Sequence, residues 1–211
     1  MSTDTFSTLA ALAAFVAIGI GVIALVGAFR PAVLSPLGPL GVLVRAHPLR
    51  IGTALAAGAT AGSLYYSEVA DFVPCDYCWY QRIAMYPLVF VLGIAAIRGD
   101  RGAMYTAVPI AGIGLGIAIY HFQLQLFPDQ GSACNLFAPC TQQWVDEFGF
   151  VSIPFMAGSA FFAIVALGAL CLADDRRTRR SEQEPTSAAD GGETGDRGTT
   201  SAVVPAGPST R

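Results

Sequence analysis

Long runs of apolar residues without charged side chains follow one another along the first 173 residues. A transmembrane helix needs about 20 mainly apolar residues to cross roughly 30 Å of hydrocarbon, so each run predicts one membrane span. The third run is short and must begin nearer Cys78, which brings Arg82 to the membrane interface. The five runs are residues 9–29, 51–67, 83–97, 103–127 and 149–173.

Arginine residues suggest how these spans are oriented. A five-span arrangement puts the arginines of segments 30–50, 98–101 and 176–180 on one side, which the positive-inside rule identifies as the cytoplasm. Loops 68–81 and 128–148 carry acidic residues but no Arg or Lys. We therefore expect a multi-pass protein of the plasma membrane whose two acidic loops face the extracytoplasmic side.

Composition excludes several other classes of protein. The chain is 54% hydrophobic and 13% charged, and residues 174–211 hold 13 of its 27 charged residues. So little charge before residue 174 argues against a soluble enzyme, because soluble surfaces need charge. The net charge of −3 provides no basic surface for nucleic acid. The composition also predicts that Pro-rich residues 31–49 are a cytoplasmic linker and residues 174–211 a disordered cytoplasmic tail.

Four of the five cysteines fall in the two outward loops, where an oxidising compartment favours disulfides. Cys75 and Cys78 form a Cys-x-x-Cys pair at a predicted helix start, where unpaired backbone N–H groups lower the pKa of a thiol. Arg82 follows Cys78 by one helical turn, so it can stabilise a thiolate there. An interfacial arginine that only snorkels is the simpler alternative.

Cys134 and Cys140 form the second pair, separated by five residues that can curl to permit a disulfide. Residues 141–148 predict a short amphipathic helix on the membrane surface, which would hold this pair near the first. Two neighbouring pairs can pass electrons by thiol–disulfide exchange. The final acceptor predicted is a lipid-soluble quinone that reaches Cys78 and Arg82 from the bilayer.

These stretches resemble the DsbB-like disulfide bond formation proteins, especially their Gram-positive and archaeal branch. Residues 74–87, which read PCDYCWYQRIAMYP, are similar to the first-loop signature of that family, and the later matching stretches surround residues 120–121, 134–140 and 148–155. The resemblance covers residues 48–173. It implies an all-α membrane protein with a four-helix transmembrane bundle over residues 50–173, and residues 1–30 then add one extra N-terminal transmembrane helix.

The resemblance also implies a function. Such proteins reoxidise a DsbA-like thioredoxin-fold dithiol oxidase and pass the electrons to the quinone pool of the lipid bilayer, either ubiquinone or menaquinone, which is not covalently bound. Cys134 would form the mixed disulfide with the partner and Cys140 would be its loop mate. Cys75 would exchange with that pair, and Cys78 would be the thiolate that faces the quinone. Arg82 and His121 would be the other two quinone-site residues.

Two alternatives from other classes stay open at this stage. The four loop cysteines could form a structural zinc site, although a spacing of five residues fits zinc poorly. The chain could also be a non-catalytic membrane protein in which disulfides only stabilise the two loops. The scarcity of ionisable residues in the spans argues against a transporter subunit.

Overall fold

Six α-helices make up most of the protein in a computed structural model that describes residues 2–34, 36–130, 134 and 138–190. No β-strand occurs in these residues beyond one isolated bridge. The helices run in chain order as α1 (Thr3–Phe29), α2 (Gly38–Ala46), α3 (Pro48–Glu68), α4 (Asp76–Arg98), α5 (Met104–Leu126) and α6 (Ile153–Asp190). The all-α fold class predicted from the sequence is confirmed.

Three of the five apolar runs lie wholly within α1, α3 and α4, and the runs 103–127 and 149–173 lie mostly within α5 and α6. Within the described residues, four helices are long and apolar enough to cross a membrane: Thr3–Phe29, Asp76–Arg98, Arg101–Leu126 and Ile153–Gln183. Helix α3 is also long enough, with 21 residues. Its glycines, serines and tyrosines make it less apolar than the other four, which is why it is absent from that group.

Local signals set the ends of the helices near the cysteines. Helix α4 begins after Cys75, which is its N-cap, and it ends at Gly99, whose φ of 67° lies in the left-handed region that glycine adopts without strain. Helix α3 begins with Pro48, a residue favoured at the first helical position because it has no N–H to satisfy. The start of α4 therefore fixes the position of Cys75 at the end of the first cysteine loop.

Residues from α3, α4, α5 and α6 share one apolar core. Phe161 lies against Gly114, where a Cβ would collide with its ring, so glycine permits the close packing of α5 and α6. A second cluster joins α1 and the segment around α2 to α6 through Ala24, Val44 and Leu167. The largest fully buried side chains of the first core are Leu88, Leu92, Met104, Phe161 and Ile164.

Two segments differ from the sequence expectation. The predicted linker at residues 31–49 contains α2, a helix of nine residues, whose Arg45 forms an ion pair of 2.8 Å with Asp174. Residues 174–190 continue α6 where composition predicted disorder, and Arg, Glu and Gln are good helix formers there. The described residues 175–190 belong to a separate unit, and residues 191–211 lie outside the described residues.

Candidate active site

The first cysteine pair lies at the N-terminus of α4. The Cys75 Sγ atom accepts a hydrogen bond from the backbone N–H of Cys78 at 3.4 Å, which caps the helix. The two Sγ atoms are 3.1 Å apart, far beyond the roughly 2.05 Å of a disulfide bond. The structure therefore shows this pair as a dithiol whose sulfurs share a hydrogen bond.

That hydrogen bond decides which sulfur carries negative charge. The Cys78 thiol donates to Cys75 and lowers the pKa of Cys75, and His121 lowers it further, while burial acts in the opposite direction. The N-terminus of α4 adds a favourable partial positive charge. The lowered pKa favours a thiolate on Cys75 in the reduced pair, and the role of Cys78 as the thiolate that faces the quinone stays a prediction.

His121 lies between the two cysteine pairs. Its Nε2 atom is 3.5 Å from Cys75 Sγ and 3.1 Å from the Cys140 carbonyl oxygen, and its Nδ1 atom is 3.2 Å from the Gln81 amide nitrogen. A carbonyl oxygen only accepts, so Nε2 carries the proton, and the Gln81 amide donates to Nδ1. The buried imidazole is thus satisfied at both nitrogens and held in one orientation.

The second pair, Cys134 and Cys140, is joined in a disulfide with a Cα–Cα distance of 5.9 Å. Cys140 is fully buried, whereas Cys134 is partly exposed. Both pack in one apolar cluster with Cys75, Cys78 and Leu124. The disulfide removes two ligands from the four-cysteine zinc site considered above, so this structure does not contain that site.

Polar contacts from α5 fasten the second loop beside the first. Gln125, near the end of α5, donates its amide to the carbonyl oxygen of Gln142 at 3.2 Å. In return, the amide of Gln143 donates to the carbonyl oxygen of Gln125 at 3.3 Å. These reciprocal bonds hold the chain that follows Cys140 against the helix that carries His121.

The amphipathic helix predicted over residues 141–148 is wrong. The segment is an irregular loop that ends in a turn, with an isolated bridge between Glu147 and Val151. Phe148 and Gly149 have φ values of 56° and 79°, which a right-handed helix does not permit. Trp144, which is 44% exposed, stacks on Phe72 with ring centroids 5.1 Å apart. The loop is therefore held by aromatic contact with the first loop.

A large cavity of about 460 Å³ lies on the other side of Cys78. Arg82 is also on its wall, and its guanidinium donates to the Ser63 hydroxyl at 2.9 Å and to the Ser63 carbonyl oxygen at 3.0 Å. The same guanidinium lies 5.2 Å from the centre of the Trp79 ring. Arg82 is thereby fixed beside Cys78, as the four-residue spacing predicts.

Tyr86 lines the same cavity, one helical turn after Arg82 on α4. Cys78, Arg82 and Tyr86 are spaced by four residues, so they share one face of α4. The Tyr86 hydroxyl is buried and has no hydrogen-bond partner among the described residues. A buried hydroxyl without a partner is costly, so this position favours a ligand with an oxygen acceptor. Cavities of this volume commonly hold small organic molecules between mainly apolar walls.

The structure brings most of the predicted site residues together. Arg82 and His121, both assigned to the quinone site from the sequence, nevertheless line different cavities. Cys78 and Arg82 line the large cavity, whereas His121 lies on a smaller one with Cys75 and Cys78. His121 therefore contacts the cysteine pairs and not the cavity wall with Arg82. The ligand atoms of Cys75, Cys78 and His121 lie within 4.8 Å of one another, which is close enough for them to share a metal ion.

Several polar residues of the site were not predicted from sequence. Their signal was a polar side chain inside an otherwise apolar span, but that signal does not say which neighbour it serves. Three-dimensional contact supplied the partner in each case. The residues are Ser63, Gln81, Tyr86 and Gln125.

Comparisons with known proteins match the part of the chain that contains these residues. The sequence model described as "Disulfide bond formation protein DsbB" matches residues 45–173. The chain is 48% identical over 122 residues to the "Probable disulfide formation protein" of Oceanobacillus iheyensis, covering 56% of this chain and 84% of that relative. It is 45% identical over 116 residues to the "Disulfide bond formation protein C" of Bacillus subtilis, covering 54% and 83% respectively. No solved structure matches it significantly.

Proposed function

The chain belongs to the DsbB family of disulfide bond formation proteins, and we propose that it reoxidises a DsbA-like thioredoxin-fold dithiol oxidase with a membrane quinone as electron acceptor. It is a multi-pass membrane protein. The observation that carries the proposal is the position of Cys78. This residue lies between the second cysteine pair and a ligand-sized cavity, so one residue touches both ends of an electron path.

The path begins at the second pair. A thiolate of the reduced partner attacks the Cys134 sulfur, which is the more exposed one, and Cys140 leaves as the other half of the broken disulfide. The second thiol of the partner then attacks the mixed disulfide and releases Cys134. The partner gains a disulfide, and the loop pair holds two electrons as a dithiol.

The first pair regenerates the second. A thiolate of the loop pair attacks the Cys75 sulfur of a Cys75–Cys78 disulfide, and Cys78 leaves. Completion of the exchange re-forms the Cys134–Cys140 disulfide and leaves the first pair reduced, which is the combination of states in the structure. His121 holds the Cys140 backbone beside Cys75 and lowers the pKa of Cys75, so it favours reversible exchange between the pairs.

Cys78 and its neighbours on α4 would hold the acceptor. A quinone, when bound, takes two electrons and two protons and becomes a quinol, which restores the Cys75–Cys78 disulfide. Arg82 and the Tyr86 hydroxyl are donors placed to bind ring oxygens, and the fixed charge of Arg82 stabilises negative charge that develops there. Ubiquinone and menaquinone share this recognition chemistry.

We place the protein in the plasma membrane, with the cysteine-bearing end on the extracytoplasmic side. The acidic cysteine loops lie together at one end of the helices, through the contacts of His121 with Cys75 and Cys140. The ion pair of Arg45 with Asp174 lies in the segments assigned to the cytoplasm. In this arrangement residues 50–173 form the catalytic bundle, residues 1–30 an additional span, residues 31–49 a linker and residues 174–211 a tail.

Quinone reduction by the purified protein, supplied with a reduced thioredoxin-fold oxidase, tests the proposal. We expect turnover in the wild type and none in Cys78→Ser or Cys134→Ser, because each substitution interrupts one exchange. Cys171→Ser is the matched control, since Cys171 belongs to neither pair, and it should retain turnover. No quinone reduction by the wild type, or turnover that survives Cys78→Ser, contradicts the proposal.

A metal site is the second candidate, because Cys75, Cys78 and His121 can reach a common ion. A bound metal ion would prevent thiol–disulfide exchange at the first pair, since Cys75 and Cys78 would then both be ligands of the ion. Metal analysis of the purified chain, compared with His121→Ala, separates the two. One tightly held ion per chain that is lost in the variant would favour the metal site.

A further inference from the structure

Helix α1 lies outside the family-matched residues 45–173, yet it is docked on the bundle. Near its N-terminus, Phe6 stacks on Tyr65 with ring centroids 3.8 Å apart, and the Ser7 hydroxyl accepts a hydrogen bond from Tyr66 at 3.2 Å. Further along, a Cβ at Gly21 would lie 2.6 Å from the Phe162 ring, so the helix approaches α6 closely there. These contacts fix α1 along much of its length.

Between these anchor points, α1 forms one wall of the large cavity. Small residues of α1 face small residues of α3, a pattern that usually lets two helices pack closely. Here the helices enclose space instead, because a Cβ added at Gly58 would meet no atom within 4 Å. The facing residues are Ala10, Ala13 and Ala17 on α1 with Ala54, Gly58 and Gly62 on α3.

The cavity has a polar end and an apolar end. Arg82 and Ser63 lie near the cysteine pair, and from Ser63 the lining continues along α3 to Ala54. Those ten residues are separated by nine helical steps, which correspond to about 14 Å of helix. Ala54, the lining residue of α3 farthest from the cysteine pair, is exposed, so the cavity is open at its apolar end.

We infer that α1 and α3 together form the channel that holds the isoprenoid tail of the quinone, with the ring at Cys78 and Arg82. This inference rests on the proposed function. An isoprenoid chain is apolar and bulky, so walls of alanine and glycine leave room for it while they bury its surface. Residues of α1, outside the family-matched region, would then contribute to how tightly this protein binds long-tailed quinones.

Steady-state quinone reduction with a long-tailed quinone and with a tailless analogue tests the channel. Ala10→Phe and Gly58→Leu, made in the full chain, should raise KM for the long-tailed quinone about tenfold, because the added side chains occupy the space of the tail. KM for the tailless analogue should not change, which also shows that the variants fold. Leu12→Phe is the matched control, since Leu12 is exposed on α1 and does not line the cavity.

Equal changes in KM for both quinones, or no change for either, would overturn the inference. Photolabelling tests the channel with a measurement that does not depend on turnover. A quinone with a photoreactive group on its tail should label residues 3–29 of the wild type, and Ala10→Phe should reduce that labelling. Labelling confined to α4 and α5 would place the tail elsewhere. A wild type that reduces neither quinone contradicts the proposed function, whereas the labelling result alone decides where the tail lies.

Discussion

The two cysteine pairs are built differently. Cys75 and Cys78 lie on the first turn of a long helix, where hydrogen bonds to backbone and to His121 fix the sulfur that carries charge. Cys134 and Cys140 lie in a loop, and the disulfide leaves one sulfur partly exposed and the other buried. The first pair therefore has fixed surroundings, and in the proposed function the second pair presents one sulfur to a partner.

Under the proposed function, this contrast matches the different reaction partners of the two pairs. A protein partner reaches a loop more easily than a helix end that is packed against three other helices, and loops commonly carry such contacts. A small acceptor in the bilayer needs a fixed thiol on a cavity wall, which a helix positions more accurately. His121 contacts both pairs, so it connects the accessible pair to the fixed one.

The largest expected effect concerns which sulfur the partner attacks. Cys140→Ser should accumulate a mixed disulfide between Cys134 and an oxidised thioredoxin-fold partner, because no loop mate remains to resolve it. Cys134→Ser should accumulate none, since Cys140 is fully buried. Non-reducing electrophoresis with mass spectrometry of the linked peptides measures both outcomes. A mixed disulfide through Cys140 of comparable yield would reverse the assignment.

The next effect is on charge at the first pair. In a chain with Cys134, Cys140 and Cys171 replaced by Ser, the thiolate absorbance of the reduced protein should persist below the ordinary thiol pKa of about 8.5. The reason is that the hydrogen bond from Cys78, and then His121, lower the pKa of Cys75. The thiolate is protonated, and its absorbance lost, only as pH falls through that lowered pKa.

Two variants compare how much Cys78 and His121 each lower the pKa of Cys75. Cys78→Ala should raise the pKa of Cys75 most, because it removes the largest stabilising contact, and His121→Ala should raise it less. In both variants the absorbance disappears at a higher pH than in the parent. Ser152→Ala offers a control, since Ser152 is a buried hydroxyl with no contact to either sulfur. A parent that titrates like an ordinary thiol would show that the first pair does not control charge.

The sequence predicted the first pair better than the second because the signals of the first are local. A helix start, a Cys-x-x-Cys and an arginine one turn later lie within eight residues, so spacing alone places Cys75, Cys78 and Arg82 on one helix end. The five apolar runs likewise predicted helices, since hydrophobic length is a property of each segment. The continuation of α6 beyond residue 173 was missed because composition there is polar.

The second loop depends on distant residues. The spacing of apolar and polar residues over 141–148 fits an amphipathic helix. In the structure, however, Trp144 stacks on Phe72 of the first loop and Glu147 pairs with Val151. Neither contact is visible in the spacing of one segment. His121 was assigned to the quinone by resemblance, whereas its three partners come from two other parts of the chain, the start of α4 and the second loop. Tertiary contacts therefore overrode local pattern at the places that join the two pairs.

The smallest expected effect concerns the stacking of Trp144 on Phe72, which holds the second loop beside the first. Trp144→Leu keeps apolar volume but removes the ring pair, which is worth about 1 kcal/mol, or about a fivefold rise in the open population of the loop. Backbone hydrogen exchange over residues 138–150 measures that population. Phe127→Leu is the control, because Phe127 is an exposed aromatic residue at the start of the same loop, and its exchange should match the wild type. Unchanged protection in Trp144→Leu would mean that the hydrogen bonds of Gln125 alone hold the second pair in reach of the first.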